Sequence, residues 1–130
     1  MRAILLAAIA ALLPWPALAD PVEGLWQTER NDAGRFAHVA FAPCGTTLCG
    51  TIATGFGPDN APVPWEGENR PIVEGMRAEG GGAYGGGTIR DPDSGRVYRS
   101  KMRLEGDVLR VSGCIAGGLL CRTQSWRRVR

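Results

Sequence analysis

The stretch RVYRSKMRL, residues 96–104, alternates between two kinds of side chain along its whole length. Tyr98, Ser100, Met102 and Leu104 form an uncharged, mostly apolar set, and the residues between them carry most of the positive charge. Successive side chains of a β-strand point to opposite faces of its sheet. The period of two therefore predicts a strand with one face toward a core and one charged face toward solvent.

Turn residues flank this strand and recur along the chain. The sequence DPDSG precedes it at residues 91–95, and EGD follows it at 105–107. No window after residue 20 shows a convincing helical period, so the pattern is all-β. The predicted strands cover residues 22–30, 36–42, 48–54, 72–78, a segment from about Tyr84, 96–104, 108–115 and 121–129.

Eight strands are enough to close an antiparallel barrel that buries side chains or encloses one small ligand. The sequence therefore predicts a single all-β domain over residues 20–130, an eight-stranded antiparallel up-and-down barrel. Between Gly55 and Pro71 a long segment contains several prolines and one tryptophan, Trp65. A segment of this length is either a lid or binding loop, or disordered.

The first nineteen residues are typical of a secretory signal peptide. Arg2 supplies a positive start, an apolar run follows, and Ala17-Leu18-Ala19 is a small-x-small cleavage motif. The apolar run is too short for a membrane anchor. We therefore expect a protein that begins at Asp20 and lies in the periplasm or is secreted.

Four cysteines follow the cleavage site: Cys44, Cys49, Cys114 and Cys121. In an exported protein an even number predicts disulfides, whereas the spacing and the lack of a nearby histidine disfavour zinc. Sequence alone allows three connectivities. Each close pair flanks a short loop between two strands, which favours Cys44 with Cys49 and Cys114 with Cys121.

Charge is distributed unevenly along the chain. Residues 20–95 contain five basic and eleven acidic side chains, whereas residues 96–130 contain nine and two. Because an exported protein rarely meets nucleic acid, we expect no nucleic-acid partner and interpret the difference as a basic and an acidic side of one fold. The basic outer face comprises Arg99, Lys101, Arg103, Arg110 and Arg127.

The cysteine pairing fixes which side chains of the last strand point inward. Disulfide-bonded cysteines on neighbouring strands share a face, and Cys114 has the phase of the outward Arg110. Cys121 then also points outward, and the inward set is unusually polar for a core. That set is Arg122, Gln124, Trp126 and Arg128. These groups either satisfy one another at the barrel ends or line a cavity for a polar or anionic head.

Residues that would support catalysis or a cofactor are scarce. His38 is the only histidine, and its phase places it toward solvent. Asp91 and Asp93 resemble the start of a calcium loop but lack the later ligands in register, so we interpret them as a turn. We therefore expect no metal, no cofactor and no enzymatic activity.

Several motifs together resemble a known family. They are LCGTI at residues 48–52, GGTIxDPxxGxxY at 86–98 (with Arg90 at the first x), LxGDxLxVxGC at 104–114 and CRxQxWxRV at 121–129. In combination they resemble small exported bacterial proteins of uncharacterised function with a lipocalin-like barrel. Gly24-Leu25-Trp26 is similar to the lipocalin G-x-W, which an arginine from near the barrel's end covers. The chain departs from the family at Arg90, where a tyrosine is usual.

The resemblance implies a fold and a candidate pocket and carries no established activity. Our first hypothesis is that the barrel interior binds a small amphipathic molecule. The candidate interior residues are Trp26, Thr28, Phe41, Tyr98, Gln124, Trp126 and Arg128. The alternative is a module that contacts an envelope protein through the basic outer face. A cavity of a few hundred Å³ would favour the first hypothesis, and a filled core the second.

Overall fold

The computed structural model describes residues 3–4, 7–8, 10–11, 19–65 and 67–130. The predicted signal peptide, residues 1–19, falls for the most part outside these ranges. In the part of the chain that the model describes, no helix is long and apolar enough to cross a membrane.

Nine strands follow one another in the described part of the chain. They are β1 (Gly24–Gln27), β2 (Phe36–Cys44), β3 (Thr47–Phe56), β4 (Pro62–Val63), β5 (Pro71–Gly80), β6 (Ala83–Arg90), β7 (Val97–Glu105), β8 (Val108–Ile115) and β9 (Leu120–Arg128), with a short 3₁₀ turn at Ala116–Gly118.

All strand pairs are antiparallel, and the sheet closes on itself because β1 pairs with both β2 and β9. Eight strands form the wall, and the two-residue β4 pairs with the end of β3. The predicted eight-stranded up-and-down barrel is confirmed.

Several strands differ in length from the prediction. β2 and β3 both extend beyond their predicted bounds. β1 is shorter than expected, because the hydrogen bond from Leu25 N–H to Arg130 O and the positive φ of Gly24 set its start, and the chain leaves the sheet at Thr28. A Cβ on Gly24 would lie 2.4 Å from the Arg130 carbonyl oxygen, which is why this position needs glycine. β5 is longer than the weak pattern indicated.

The segment after β3 folds back onto the barrel. Asn69 N–H donates to Ile52 O at 2.8 Å, and the Trp65 indole packs against the core cluster. The segment therefore positions Trp65 at the barrel mouth.

The two ends of the barrel are built differently. At one end, which we call the closed end, lie residues 20–23, the tight β2–β3, β5–β6 and β7–β8 turns, and the C-terminus. At the other, the open end, lie the β1–β2, β3–β5 and β6–β7 connections and the β8–β9 hairpin turn. The Cys44–Cys49 disulfide joins β2 to β3 near the closed end, and Cys114–Cys121 joins β8 to β9 near the open end. Both predicted pairings are present.

Candidate functional site

The closed half of the barrel is filled by side chains. Trp26, Leu109 and Met102 are buried there, and the Trp26 indole N–H donates to Val22 O at 2.9 Å. The Arg128 guanidinium lies 4.3 Å from the centre of the Trp26 ring. None of the three buried side chains lines the cavity of the open half.

The open half contains a cavity of about 730 Å³. Its inner wall is mainly apolar and is contributed by strands on all sides of the barrel. The wall residues are Ala37, Ile52, Ile72, Ile89, Tyr98, Val111, Gly113 and Trp126. A volume of this size falls in the range of small-molecule sites.

Trp126 forms the lower limit of the cavity. Its ring is buried and lies 6.2 Å, centre to centre, from the ring of Phe41, which belongs to the core below. The indole N–H donates to Gln124 Oε1 at 2.8 Å. Because that bond uses the amide oxygen, the Gln124 NH₂ group remains as a donor at the cavity wall.

The mouth of the cavity carries charges of both signs. Its charged residues are Glu29, Arg30, Asp32, Arg35, Arg90, Asp91, Asp93 and Arg122. Arg35 lies 4.7 Å from the centre of the Trp65 ring and donates to Pro64 O, and Arg90 donates to Pro71 O. These two arginines are therefore engaged in holding the β3–β5 connection.

Arg122 differs from the other mouth arginines. It is exposed on β9 opposite Gly113, and none of the described residues forms a hydrogen bond or ion pair with its guanidinium. The guanidinium offers five N–H donors in a planar fork that matches carboxylate or phosphate oxygens. Arg122 is thus the mouth residue with most capacity to bind an anionic group.

The β1–β2 connection, residues 28–35, crosses the mouth. Asn31 Nδ2 donates to Asp93 Oδ2 at 3.2 Å, which links this connection to the β6–β7 turn. Asn31 Oδ1 accepts from Ala33 N–H and Arg35 N–H, so the side chain also shapes its own turn. The Glu29 carboxylate accepts from Ser125 N–H on β9. The connection therefore bridges three sides of the opening.

The structure divides the predicted interior residues into two groups. Thr28, Tyr98, Gln124 and Trp126 line the cavity, whereas Trp26, Phe41 and Arg128 do not.

Arg128 does not line the cavity, so the prediction that it binds the head of a ligand is wrong. Its guanidinium donates to Pro21 O at 2.7 Å and Glu23 O at 3.3 Å, and lies 3.3 Å from an Asp107 carboxylate oxygen. Those contacts hold it at the closed end. Phase correctly placed Arg128 on the Trp26 side, and the packing of an arginine over Trp26 is observed.

His38 also departs from its predicted surroundings. It lies on the outer face of β2, half-buried, with its ring 4.6 Å from the ring of Phe56. Burial, and secondly the positive charge of Arg130, lower the pKa of His38 below its ordinary value.

Sequence reasoning missed the contributions of the connections to the mouth. Trp65, Arg35 and Asn31 lie in segments without a strand period, so their position could not be read from phase. The available signal was Trp65, the one tryptophan in the proline-rich segment. Among the residues that the model describes, no three His, Cys, Asp or Glu side chains are arranged to hold a metal ion.

Comparison with protein families identifies the group to which the sequence is related. Residues 24–128 match the model of the family described as "Uncharacterized protein conserved in bacteria (DUF2147)". The chain belongs to the DUF2147 family. The match includes every strand of the barrel and the residues that line the cavity.

A solved structure supports the lipocalin-like fold of this DUF2147 protein. The protein HP1028 from the human pathogen Helicobacter pylori, described as belonging to the lipocalin family, is similar with a TM-score of 0.70. The likeness covers 87% of this chain and 85% of HP1028 at 15% sequence identity, so it shows a shared fold. Among curated proteins none is significantly similar to the chain.

The two disulfides of this DUF2147 protein are typical of an oxidising environment outside the cytoplasm.

Proposed function

We propose that this DUF2147 protein binds a small amphipathic molecule in the cavity at its open end, in the periplasm or after secretion. The observation that supports this most directly is the cavity of about 730 Å³ with an apolar wall and a polar mouth. A filled barrel would instead have favoured a purely structural or protein-binding role. In this proposal the protein carries its ligand and does not transform it.

The chemistry of the wall defines the ligand class. The apolar part of the ligand contacts Ile52, Ile89 and Val111 and lies against Trp126, where removal of apolar area from water drives binding. The head contacts Arg122, the Gln124 amide and the Tyr98 hydroxyl. A carboxylate, sulfonate or phosphate head suits this set because Arg122 supplies charge-assisted hydrogen bonds.

The experiment is a fluorescence titration with 1-anilinonaphthalene-8-sulfonate, which combines an aromatic body with an anionic head. We expect saturable binding to one site on the folded protein. Ile89→Phe, which places a bulkier ring in the apolar wall of the cavity, should weaken that binding severalfold. Arg122→Gln should weaken it about tenfold, because a charge-assisted hydrogen bond is lost.

Arg110→Gln is the matched control, since Arg110 is exposed on the outer face and does not line the cavity. It should bind the probe as the wild type does. Because the probe also binds loosely packed states, each variant must keep its near-ultraviolet circular dichroism. Binding that Ile89→Phe leaves unchanged would contradict the proposal.

The alternative of an envelope protein partner remains a prediction. Arg99, Lys101, Arg103, Arg110 and Arg127 are all exposed on the outer faces of β7, β8 and β9, which fits an acidic partner. Capture of such a partner, weakened by Arg103→Glu with Arg110→Glu and by salt, would support it.

A further inference from the structure

The β8–β9 hairpin carries large apolar side chains at its turn, and more than half of the surface of each is exposed to solvent. Leu119 is 85% exposed, Leu120 62% and Ile115 53%. We call these three residues the apolar tip. Apart from Ile4 and Val129 near the chain ends, the only other exposed large apolar residue in the described part of the chain is Val97, at the start of the neighbouring β7.

The apolar tip is rigidly held. Ile115 and Leu120 are paired across the hairpin, and the Cys114–Cys121 disulfide lies directly beneath them. These side chains gain no free energy of burial in the folded protein, and that gain becomes available when they leave water on contact with a partner surface. A rigid apolar projection of this kind is typical of a contact site.

Basic residues surround the apolar tip. Arg99 pairs with Cys114, Arg122 pairs with Gly113, and Arg96 precedes β7. After residue 95 the only acidic residues are Glu105 and Asp107, which lie at the β7–β8 turn at the closed end. That turn is about 23 Å away along β8 at the usual strand rise. Asp91 and Asp93 of the β6–β7 turn also lie at the mouth, so next to the tip two carboxylates stand against the three arginines. The tip therefore combines exposed apolar side chains with local positive charge.

We infer that the apolar tip docks the protein on an anionic lipid bilayer. A stable protein interface buries about 800 Å² on each partner, far more than three side chains on a hairpin turn provide. Membrane binding needs only a few inserted apolar side chains together with basic residues near the anionic headgroups. The composition of the tip matches that second requirement.

Docking in this orientation places the cavity mouth at the bilayer. Ile115 and Leu120 of the apolar tip line the cavity, and so does Arg122 beside them. An amphipathic molecule could then pass between the membrane and the cavity without crossing water. This passage rests on the proposed function, whereas docking does not.

The experiment measures flotation of the full-length exported protein with vesicles. One set contains phosphatidylglycerol with phosphatidylethanolamine, and the other phosphatidylcholine alone. We expect binding to the anionic vesicles only, and a decrease as salt is raised. Leu119→Ser with Leu120→Ser should weaken binding at least tenfold, as loss of two inserted leucines requires. Arg96→Gln with Arg99→Gln should weaken it about fivefold for each charge.

Two controls separate the tip from the rest of the surface. Val129→Ser removes an exposed apolar residue next to the C-terminus, and Arg103→Gln with Arg110→Gln removes charge farther along β7 and β8. Both should bind vesicles as the wild type does. Leu119→Ser alone serves if the double serine variant does not fold.

No binding to anionic vesicles would overturn the inference. So would binding that the tip variants leave intact, or that the Arg103 and Arg110 variant weakens equally, since the flat basic face would then be the contact. The Ile89→Phe variant, which changes only the wall of the cavity, should still dock. If wild type docks on vesicles but does not bind the anilinonaphthalene probe, the proposed function fails and this inference stands.

Discussion

Arg128 and Trp26 together form the seal of the closed end. The guanidinium covers the indole and donates to backbone carbonyls of residues 21 and 23, which draws the N-terminal segment across the barrel. The cation–π contact and the charge-assisted hydrogen bonds are most effective where water is excluded. The role of this pair is thus to close the barrel below the cavity.

We predict that Trp26→Ala destabilises the protein by about 3 to 5 kcal/mol, as truncation of a large buried aromatic residue does. Arg128→Met keeps an apolar stem and should cost about 1 to 2 kcal/mol. Arg127→Ala, at the exposed neighbouring position, should cost almost nothing. Urea unfolding measures all three. A Trp26→Ala protein as stable as wild type would contradict the assigned core.

His38 gives stability a pH dependence. Its pKa is lowered in the fold, chiefly by burial, so the unfolded chain takes up a proton first as the pH falls through about 6.5. Stability therefore decreases below that pH, and the decrease ends once the pH passes the lowered pKa of the folded state. His38→Gln should remove this part of the profile. Urea midpoints measured between about pH 5 and pH 8 provide the test, and parallel profiles would contradict it.

The β1–β2 connection lies across the mouth of the cavity. Its hydrogen bond from Asn31 to Asp93 is the contact between that connection and the β6–β7 turn. An exposed bond of this kind breaks easily, which is compatible with ligand entry.

We predict that Asp93→Ala speeds both association and dissociation of the anilinonaphthalene probe severalfold, because the bridge across the mouth is lost. Asp93→Asn also removes the charge but keeps an oxygen that accepts from Asn31, so its rates should stay near those of wild type. Stopped-flow fluorescence compares the two. If both variants exchange the probe equally fast and faster than wild type, the carboxylate charge governs access and the hydrogen bond does not.

The strand period and the turn residues predict the barrel as a whole. The alternation around Met102 gives the inward face of β7, and the cysteine phase gives that of β9. The strand period does not predict how far along the barrel axis a side chain lies. Trp126 and Arg128 share a face, yet one limits the cavity and the other seals the closed end. That difference depends on the N-terminal segment, whose carbonyls bind Arg128 and whose position no periodicity encodes.

The mouth of the cavity was the part least predictable from sequence, because it is built by connections that have no strand period. Trp65 and Arg35 reach it from connections whose path depends on contacts distant in sequence, such as their stacking on each other. A period of two predicts which face of the sheet a strand side chain points to. It contains no information about the path of a loop over the mouth of the barrel. The combination of filled and empty halves therefore emerges only from the folded barrel.

We propose that the open half of the barrel holds a small molecule. The most direct measurement is native mass spectrometry of the protein purified from its own compartment, with Ile89→Phe purified in the same way. We predict that wild type retains one amphipathic molecule that is released on unfolding, and that a smaller fraction of Ile89→Phe molecules retains it. A wild-type protein without any retained molecule, which also fails to take up lipid-extract components added in excess, would contradict this proposal.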